Sequence, residues 1–316
     1  MLILLPPSET KRDGGAGAPL DLSALSFSTT RLPGGTGRAM DAMRKRVLAA
    51  TVSLARTPAE CAKVLKLSPK QMFEVERNQH VLTSPTMTAI DRYTGVLFDG
   101  LDAASLPAAG REFLGSHVLI QSALLGPVGA LDLIPAYRLS FDSRLPKLSA
   151  GALKNVWAIP AAKALTQAIA TPDGQAEIGS VDNGSADHGQ LVLDLRSEGY
   201  AALAPLPVQG NVYYLRVVTR GTDGAVRALN HFNKKGKGEF LRALALDATV
   251  TETIDSLDEL LAWAAVSGIT LELGAPSTPS VGSTLELGSP GPPAVRGVGS
   301  VPGKPAELNL VVSGIL

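Results

Sequence analysis

Residues Ser122–Phe141 read SALLGPVGALDLIPAYRLSF, and this stretch decides our prediction of the fold. Its centre, Leu125–Gly129, holds two glycines three residues apart with a proline between them. Gly126 and Gly129 permit positive φ angles and a close approach of another backbone, and Pro127 cannot continue a helix that arrives from its N-terminal side. The pattern therefore predicts a short turn between two short helices, with free amides at the start of the second helix.

A turn of this kind has two interpretations. Free amides at a helix N-terminus bind a phosphate through hydrogen bonds and the helix dipole. The pattern is similar to the hairpin of a helix-hairpin-helix, which grips the sugar-phosphate backbone of DNA without reading bases. The alternative is an ordinary turn between two helices that packs in the core. The pattern alone leaves both interpretations open.

The composition describes a chain that can bury a core of its own. It has 316 residues, of which 45% are hydrophobic, so we expect one large domain or two smaller ones. Lys+Arg and Asp+Glu both number 29, so the whole chain shows no excess of positive charge. Basic residues nevertheless dominate between Val226 and Arg242, and acidic residues dominate after Thr249. A neutral total can therefore hide a basic face.

The cysteine and histidine content argues against a metal centre. Cys61 is the only cysteine, so a disulfide within the chain and a site built from several cysteines are both excluded. The four histidines have no close ligand partners in the sequence; they are His80, His117, His188 and His231. A lone thiol suits a reducing compartment. The first residues lack a basic segment typical of a signal peptide, and no apolar run reaches the length of a membrane span. We expect a soluble, cytoplasmic protein with no metal, cofactor or membrane partner.

Hydrophobic patterning predicts an α+β fold. The predicted strands are Leu2–Leu5, His117–Ile120, Tyr137–Phe141, Leu191–Leu195, Asn211–Thr219, Val226–Phe232 and Ile269–Leu273. The predicted helices include Arg38–Ala55, Ala59–Leu67, Pro69–Val81, Ala103–Leu114, Asn155–Ala170, a helix from Asn233 to about Leu246, and Ser256–Val266. Because these elements alternate without a regular βαβ spacing, we predict a mixed sheet with surrounding helices, and not a doubly wound Rossmann fold.

The sequence changes character near Gly274. From there it is rich in proline, glycine and serine, which is typical of a disordered or loosely attached tail. Its apolar end, Leu308–Val312, could return to the sheet as an edge strand. We therefore predict a domain over residues 1–273 and a tail over residues 274–316.

Polar clusters follow two of the predicted strands. Ser8–Lys11 follows the first strand, and Arg196–Tyr200 follows the strand at Leu191–Leu195. Polar residues at the end of a buried strand often form the sites of α/β-type folds, although a plain solvated turn gives the same pattern. Glu9 and Glu198 are candidates for moving protons.

The most basic segment is Asn233–Arg242, which reads NKKGKGEFLR. Gly236 and Gly238 leave room where the predicted helix begins, so that backbone amides and lysine ammonium groups can face one anion. Neutralisation of phosphates by Lys and Arg is the main source of non-specific affinity for nucleic acid. In the alternative interpretation, Glu239 pairs with Lys235 and Arg242 on a solvated helix face.

Several segments together resemble one family, the YaaA peroxide-stress proteins, also called DUF328 or UPF0246. The most specific segment is Leu124–Leu139, and the resemblance covers about Met1–Leu273. The other matching segments are Met1–Lys11, Tyr93–Leu101, Val156–Trp157, Asp194–Tyr200 and Lys235–Arg242. This chain departs from the family pattern at the hairpin, where relatives often have Tyr-Gly in place of Leu125-Gly126 and where Pro127 also differs. The tail after Gly274 is not part of the usual pattern.

The resemblance implies a single compact α+β domain with a fold of its own, in which a helix-hairpin-helix lies beside a positively charged cleft. It also implies DNA binding, and protection under hydrogen peroxide by limiting free iron and DNA damage. Carried over by position, the residues of the hairpin are Leu125, Gly126, Val128 and Gly129. The corresponding residues of the cleft are Lys11, Arg138, Lys235 and Arg242, with Lys234 and Lys237 as additional positive charges.

Two functions are compatible with these residues. The first is a DNA-binding stress protein that contacts the backbone of duplex or damaged DNA. The second is an enzyme that acts on a nucleotide or nucleic acid, with Lys11, Glu9, Glu198 and Lys235 as candidate catalytic residues. In it, a lysine flanked by other cations would serve as nucleophile. Convergence of Lys11, Glu198 and Lys235 in a narrow pocket would favour the enzyme, whereas an open groove as wide as a duplex would favour binding alone.

Overall fold

A mixed β-sheet runs through the protein. The computed structural model describes residues 1–148, 151–170, 190–220, 226–228, 232–247, 254–274 and 305–312. The strands are β1 (Leu2–Leu5), β2 (Met87–Thr88), β3 (Val118–Ser122), β4 (Gly126–Gly129), β5 (Leu133–Ile134), β6 (Val192–Asp194), β7 (Val212–Arg220), β8 (Val226–Ala228), β9 (Thr270–Leu273) and β10 (Ala306–Val311). Seven of them pair in the order β4-β3-β1-β6-β7-β10-β9, and β8 also pairs with β7. The strands β2 and β5 form a separate ladder.

The central strands β1, β6 and β7 are parallel to the strands on both sides of them in this order. β1 pairs in parallel with β3 on one side and β6 on the other, and β7 pairs in parallel with both β6 and β10. β4 and β9 run antiparallel at the two edges. All four residues of β1 are buried, as expected for a strand inside a parallel sheet. The predicted α+β class with a mixed sheet is confirmed.

Helices surround the sheet. They are α1 (Gly35–Ala55), α2 (Pro58–Val64), α3 (Phe73–Gln79), α4 (Ala89–Arg92), α5 (Val96–Leu101), α6 (Ala108–His117), α7 (Leu153–Ala170), α8 (Glu198–Ala201), α9 (Phe232–Leu246) and α10 (Leu257–Val266). Short 3₁₀ helices lie at Pro69–Gln71 and Ala103–Ser105. The helix α10 begins with a capping box in which Ser256 accepts from the Glu259 amide, which explains the start predicted there.

The glycine-proline segment forms a β-hairpin, and the predicted helix-hairpin-helix is wrong at this position. Gly126–Gly129 is the strand β4, which pairs antiparallel with β3 in the register Ser122 to Gly126. Gly126 has φ 71°, and a Cβ there would lie 2.9 Å from the Trp157 ring. The four residues predicted to grip DNA are all buried; they are Leu125, Gly126, Val128 and Gly129. Backbone groups of this hairpin therefore face the protein interior.

A buried arginine explains why the hairpin turns inward. The Arg44 side chain donates to the carbonyl oxygens of Leu125 (2.9 Å), Pro127 (3.0 Å) and Ser26 (2.7 Å). The amides of Leu124 and Leu125 donate to Ser122 Oγ at 3.1 and 3.0 Å. The amides predicted to be free for a phosphate are also bonded, since Gly129 N–H donates to Asp132 Oδ2 at 2.8 Å and Ala130 N–H to the Val118 carbonyl oxygen at 3.0 Å.

The predicted strand at Tyr137–Phe141 is also wrong. The segment is largely buried but pairs with no strand of the described chain. The side chain of Asn78 takes the place of a strand partner, since it donates to the Arg138 carbonyl at 2.8 Å and accepts from the Arg138 amide at 2.9 Å. The alternating apolar residues thus reflect burial of this segment. The backbone groups of Arg138 bond to the Asn78 side chain, where those of a strand would bond to a neighbouring strand.

The C-terminal apolar segment joins the sheet as β10. It lies between β7 and β9, so that β9 forms the edge where the sequence prediction had put this segment. Ala306 pairs with Tyr213 and Val311 with Val218, which gives β10 a parallel partner along its whole length. Most of the predicted tail (275–304), His188 and His231 lie outside the described residues.

Two glycines bring α5 and α9 into close contact. A Cβ at Gly238 would lie 2.1 Å from the Leu97 carbonyl oxygen, and a Cβ at Gly100 would lie 2.9 Å from the Lys235 carbonyl oxygen. The predicted role of Gly238 was to leave room for an anion, but its hydrogen atom faces the backbone of α5. The glycine is needed because the two helix backbones nearly touch.

Replacement of Gly238 by alanine tests this packing. We expect Gly238→Ala to lower the free energy of unfolding by about 2 kcal/mol, because a methyl group 2.1 Å from a carbonyl oxygen forces α9 away from α5. The midpoint of urea unfolding measures the change.

Gly35→Ala is the matched control, because a Cβ at Gly35 meets nothing within 4 Å. That variant should be neutral or more stable by less than about 1 kcal/mol. An equal loss of stability in both variants would contradict the proposed role of the helix contact.

A candidate ligand-binding cleft

A cleft of about 930 Å³ opens beside the carboxyl ends of β1 and β6. Its walls come from the loop after β1, the start of α5, the segment after β6, the middle of β7 and the first turns of α9. The lining residues that carry polar groups are Ser8, Glu9, Thr10, Thr94, Ser197, Glu198, Tyr200, Tyr214, Arg216, Asn233, Lys234 and Lys237. Because parallel strands end at the same edge of a sheet, both predicted polar clusters reach this one cleft.

The wall that follows β1 is held from beneath by Lys11. The Lys11 side chain is 5% exposed, and its Nζ donates to the carbonyl oxygens of Ser8 at 2.9 Å and Glu9 at 3.0 Å. On the other side, the Thr94 amide donates to Ser8 Oγ at 3.1 Å. Lys11 therefore supports the cleft wall and does not line the cleft, where the sequence had placed it.

Lys11 lies among aromatic rings and hydroxyl groups. Its Nζ is 4.2 Å from the centroid of the Tyr137 ring and 5.4 Å from that of Tyr93. The Tyr137 hydroxyl lies 2.9 Å from the Tyr93 hydroxyl and 2.7 Å from Ser122 Oγ. Burial lowers the pKa of Lys11 to about 7, although Glu74 and Glu9 oppose this shift. Burial also raises the pKa of both tyrosines, which keeps them protonated.

Glu9 is oriented by two neighbours in the wall. Its carboxylate forms an ion pair with Arg138 and accepts from Ser140 Oγ at 3.3 Å. Tyr200 packs edge-on against Phe141, with 5.2 Å between the ring centroids. The buried Tyr200 hydroxyl lies near Ser140 and Glu9 but makes no well-aligned hydrogen bond within the described structure. Arg138 is thus committed to Glu9, and the Tyr200 hydroxyl is held close to the Ser140 side chain and the Phe141 backbone.

The segment after β6 is supported by a buried ion pair. Arg196 is fully buried, and its Nε and one terminal nitrogen each lie 2.8 Å from an oxygen of Asp194. Another nitrogen of the guanidinium donates to the Ala204 carbonyl at 2.9 Å. A buried charge requires such partners. The pair shapes the turn from which Ser197 and Glu198 reach the cleft.

The basic segment divides between the cleft and the outer surface. Lys234 and Lys237 line the cleft. Lys235 is more than half exposed and lies 3.3 Å from Glu239, as the alternative interpretation predicted. Arg242 donates to the carbonyl oxygens of Leu101 at 2.9 Å and Asp102 at 2.8 Å, so it satisfies the end of α5.

Lys237 is the buried member of the group. Its side chain is 4% exposed, and its Nζ donates to the Leu195 carbonyl at 2.9 Å. The Tyr214 ring centroid lies 5.3 Å from the same nitrogen. Burial lowers the pKa of Lys237 to about 8, with a smaller contribution from the Arg216 guanidinium and an opposing one from Asp194. A fraction of Lys237 is therefore neutral in mildly alkaline solution.

The convergence of Lys11, Glu198 and Lys235 expected of an enzyme site is absent, because only Glu198 of the three lines the cleft. Glu9, Glu198, Lys234 and Lys237 share the cleft, but Lys235 lies outside it and Lys11 lies under its wall. Several lining residues were not predicted from the sequence as site residues, among them Tyr214, Arg216, Thr94 and Phe141. The first two are two residues apart in a predicted strand, so the alternation of side chains would have placed them on one face.

Metal ligands do not cluster in the described part of the chain. No group of three or more His, Cys, Asp or Glu residues there is placed to hold a metal ion. The described helices are too short or too polar to cross a bilayer.

The fold and the cleft define an α+β protein whose mixed sheet ends in a polar, lysine-containing pocket. The chain belongs to the family described as "Peroxide stress protein YaaA", whose model matches residues 1–267. The family resemblance predicted from the sequence is confirmed.

Relatives named UPF0246 proteins support this assignment. One from Streptomyces coelicolor is 40% identical over 263 residues, which cover 83% of this chain and 89% of the relative. One from Corynebacterium glutamicum strain R is 38% identical over 273 residues, or 86% of this chain and 95% of the relative. One from Corynebacterium efficiens is 35% identical over 275 residues, which cover 86% of this chain and 95% of the relative.

The buried Lys11 predicts a pH-dependent stability. Its folded pKa of about 7 lies below the ordinary 10.5, so between these pH values the unfolded chain binds more protons than the folded one. The free energy of unfolding should therefore rise with pH in this window. From pH 7 to 9 we expect the free energy of unfolding to increase by up to about 2 kcal/mol less in Lys11→Met than in wild type. Urea titrations at the two pH values measure the difference.

Lys235→Met is the control for the pH experiment, since that side chain is exposed and should leave the wild-type rise unchanged. If the free energy of unfolding rises equally with pH in Lys11→Met and in wild type, Lys11 is not the group that makes the stability depend on pH.

Proposed function

We propose that this member of the peroxide-stress family binds DNA through the cleft and thereby protects it from damage driven by free iron. The observation that carries the proposal is that Lys234 and Lys237 both line the cleft, from the first turns of α9. Cationic side chains beside a helix N-terminus favour a phosphate, because the helix dipole and the ammonium charges act on the same anion.

The rest of the cleft supports a nucleotide as occupant. Phe141, Tyr200 and Tyr214 contribute aromatic lining on which a base can stack. The cleft volume of about 930 Å³ lies within the range of small-molecule sites. We therefore propose that a duplex lies across the mouth of the cleft and that a nucleotide displaced from the stack, as in damaged DNA, enters it.

Contacts of this kind are independent of base sequence. Phosphates position the protein, and no base-reading helix or strand enters the proposal. The buried hairpin at Leu125–Gly129 has no part in it, because its polar groups bond within the protein. Protection then follows because the bound protein covers DNA that radicals formed by free iron would otherwise damage.

Removal of the two cleft lysines should weaken binding and its salt dependence. At physiological salt we expect wild type to bind duplex DNA with a dissociation constant of about 10⁻⁴ to 10⁻⁶ M, the non-specific range. Lys234→Ala and Lys237→Ala should each leave one phosphate without its cation, which makes the slope of log K against log salt shallower by about 0.9. Fluorescence anisotropy over a salt series measures both the affinity and the slope.

Lys235→Ala is the matched control, since it removes a lysine from the same helix at a position outside the cleft. It should bind as wild type does. The proposal fails if Lys235→Ala weakens binding as much as Lys234→Ala, or if wild type does not bind at low salt.

A second candidate is an enzyme that acts on a nucleotide or nucleic acid. It is favoured by a buried polar atom in the cleft lining that has no hydrogen-bond partner in the described structure, Asn233 Oδ1. Buried polar atoms without partners are rare in folded proteins, so this oxygen can accept a hydrogen bond from a bound ligand. Glu9 and Glu198 supply carboxylates for proton transfer in the same cleft.

A further inference from the structure

Three lysines at the start of α9 have different surroundings. Lys234 is exposed at the cleft, Lys235 is exposed beside Glu239, and Lys237 is buried at the cleft. The Lys237 amine donates to the main-chain carbonyl of Leu195 and forms no ion pair among the described residues. The sequence pattern predicted Lys235 as the nucleophile, whereas the conditions for that role are met at Lys237.

We propose that Lys237 forms an imine with a phosphorylated aldehyde bound in the cleft, and that in DNA this aldehyde is the deoxyribose of an abasic site. The inference rests on the proposed function and extends it from binding to covalent capture. Deoxyribose that has lost its base opens to expose an aldehyde at C1′, with phosphate groups on C3′ and C5′ of the same sugar. The cleft therefore meets one ligand that carries both an electrophile and an anion.

The environment of Lys237 supplies a reactive amine. Lysines that form imines are activated by removal from water and by a nearby cation, both of which favour the neutral form. Lys237 is 4% exposed, and this burial is the main cause that favours its neutral form; the Arg216 guanidinium, which also lines the cleft, adds to it, while Asp194 opposes it with a larger effect than that of Arg216. The hydrogen bond to the Leu195 carbonyl is made by an N–H, so it leaves the nitrogen lone pair of the neutral amine available.

A phosphate site lies one helical turn away. Lys234 is three residues before Lys237, and residues at this spacing share one face of a helix. Both line the cleft, and Lys234 is exposed there. A phosphate held at Lys234 would keep the adjacent sugar at the position of the buried amine. Asn233 Oδ1, which has no partner in the described structure, can accept a hydrogen bond from a sugar hydroxyl.

The proposed step balances without an oxidant or a reductant. The neutral Lys237 nitrogen attacks C1′, a C–N bond forms, and the electron pair of the C=O π bond moves to oxygen, which takes a proton. The C–O bond then breaks and a C=N double bond forms. Over the whole step the nitrogen gives up both of its protons, and the oxygen leaves as water with two protons. One amine and one aldehyde give one imine and one water, and hydrolysis reverses the step.

Trapping with borohydride tests the inference on the full chain. The probe is a labelled duplex with one natural abasic site, incubated with the protein and reduced with sodium borohydride, which converts an imine into a stable amine. We expect a protein–DNA adduct that survives denaturing electrophoresis, with the modification on the peptide containing Lys237. A second duplex carries a tetrahydrofuran analogue of the abasic site, which has no aldehyde and reports binding alone.

Three variants separate the amine from the charge. Lys237→Arg keeps a positive charge and an N–H for the Leu195 carbonyl but cannot form an imine. It should reduce the adduct at least about tenfold when compared with wild type at protein concentrations that saturate the tetrahydrofuran duplex in both cases. Lys237→Gln should lose the adduct and also weaken binding. Lys235→Gln, the control on the same helix, should give the wild-type adduct. Thermal melting confirms that each variant is folded.

The outcomes distinguish this inference from the proposed function. Binding of the tetrahydrofuran duplex without any adduct on the natural site overturns the inference and leaves the DNA-binding proposal standing. An adduct that persists in Lys237→Arg overturns the assignment to Lys237. Absence of binding to both duplexes overturns the DNA proposal. In that case, an adduct of Lys237 with 2-deoxyribose 5-phosphate would support the same imine chemistry with a free sugar phosphate as its source.

Discussion

The parallel pairing of β1 with β3 on one side and β6 on the other is the constraint on which the structure depends. Leu4 pairs with Leu119 and also with Asp194, residues that lie far apart in the chain. Parallel neighbours cannot be joined by tight turns, so long connections must cross the faces of the sheet. All these strands then end at one edge, where the polar residues that follow β1 and β6 both line the cleft. A fully apolar strand thus determines where the polar site lies.

Buried cations that bond to main-chain carbonyls hold the irregular segments around this sheet. Arg44 fixes the hairpin, Lys11 fixes the wall after β1, and Lys237 bonds to the chain after β6. Arg92 is also fully buried and donates to the carbonyls of Arg12, Pro85 and Ile134 at 2.6 to 3.1 Å. A loop inside a protein must satisfy its carbonyl groups, and a long cationic side chain can reach several at once. Part of the positive charge therefore serves the interior, which is why a neutral sequence total says little about the surface of the cleft.

Local sequence was enough to predict several of the buried strands, but not the geometry between them. The run Leu2–Leu5 is apolar throughout and ends at two prolines, so burial and length both followed from the residues themselves. The glycine-proline segment failed because its local signals fit a turn between helices as well as a hairpin. The residues that decide between the two, Arg44 and Trp157, are distant in the sequence. Tyr137–Phe141 failed for a similar reason, because its backbone partner is the distant side chain of Asn78.

The lysines of α9 show how far a helical pattern can locate a site. A spacing of three residues puts Lys234 and Lys237 on one face and Lys235 on another, and this much followed from the sequence. Which face meets the cleft depends on how the helix is turned. Gly238 sets that turn, since only a glycine allows α9 to lie against the carbonyl of Leu97. Gly238 was predicted to make room for an anion. Its effect on the cleft is indirect, because its contact with α5 fixes the orientation in which Lys234 and Lys237 line the cleft.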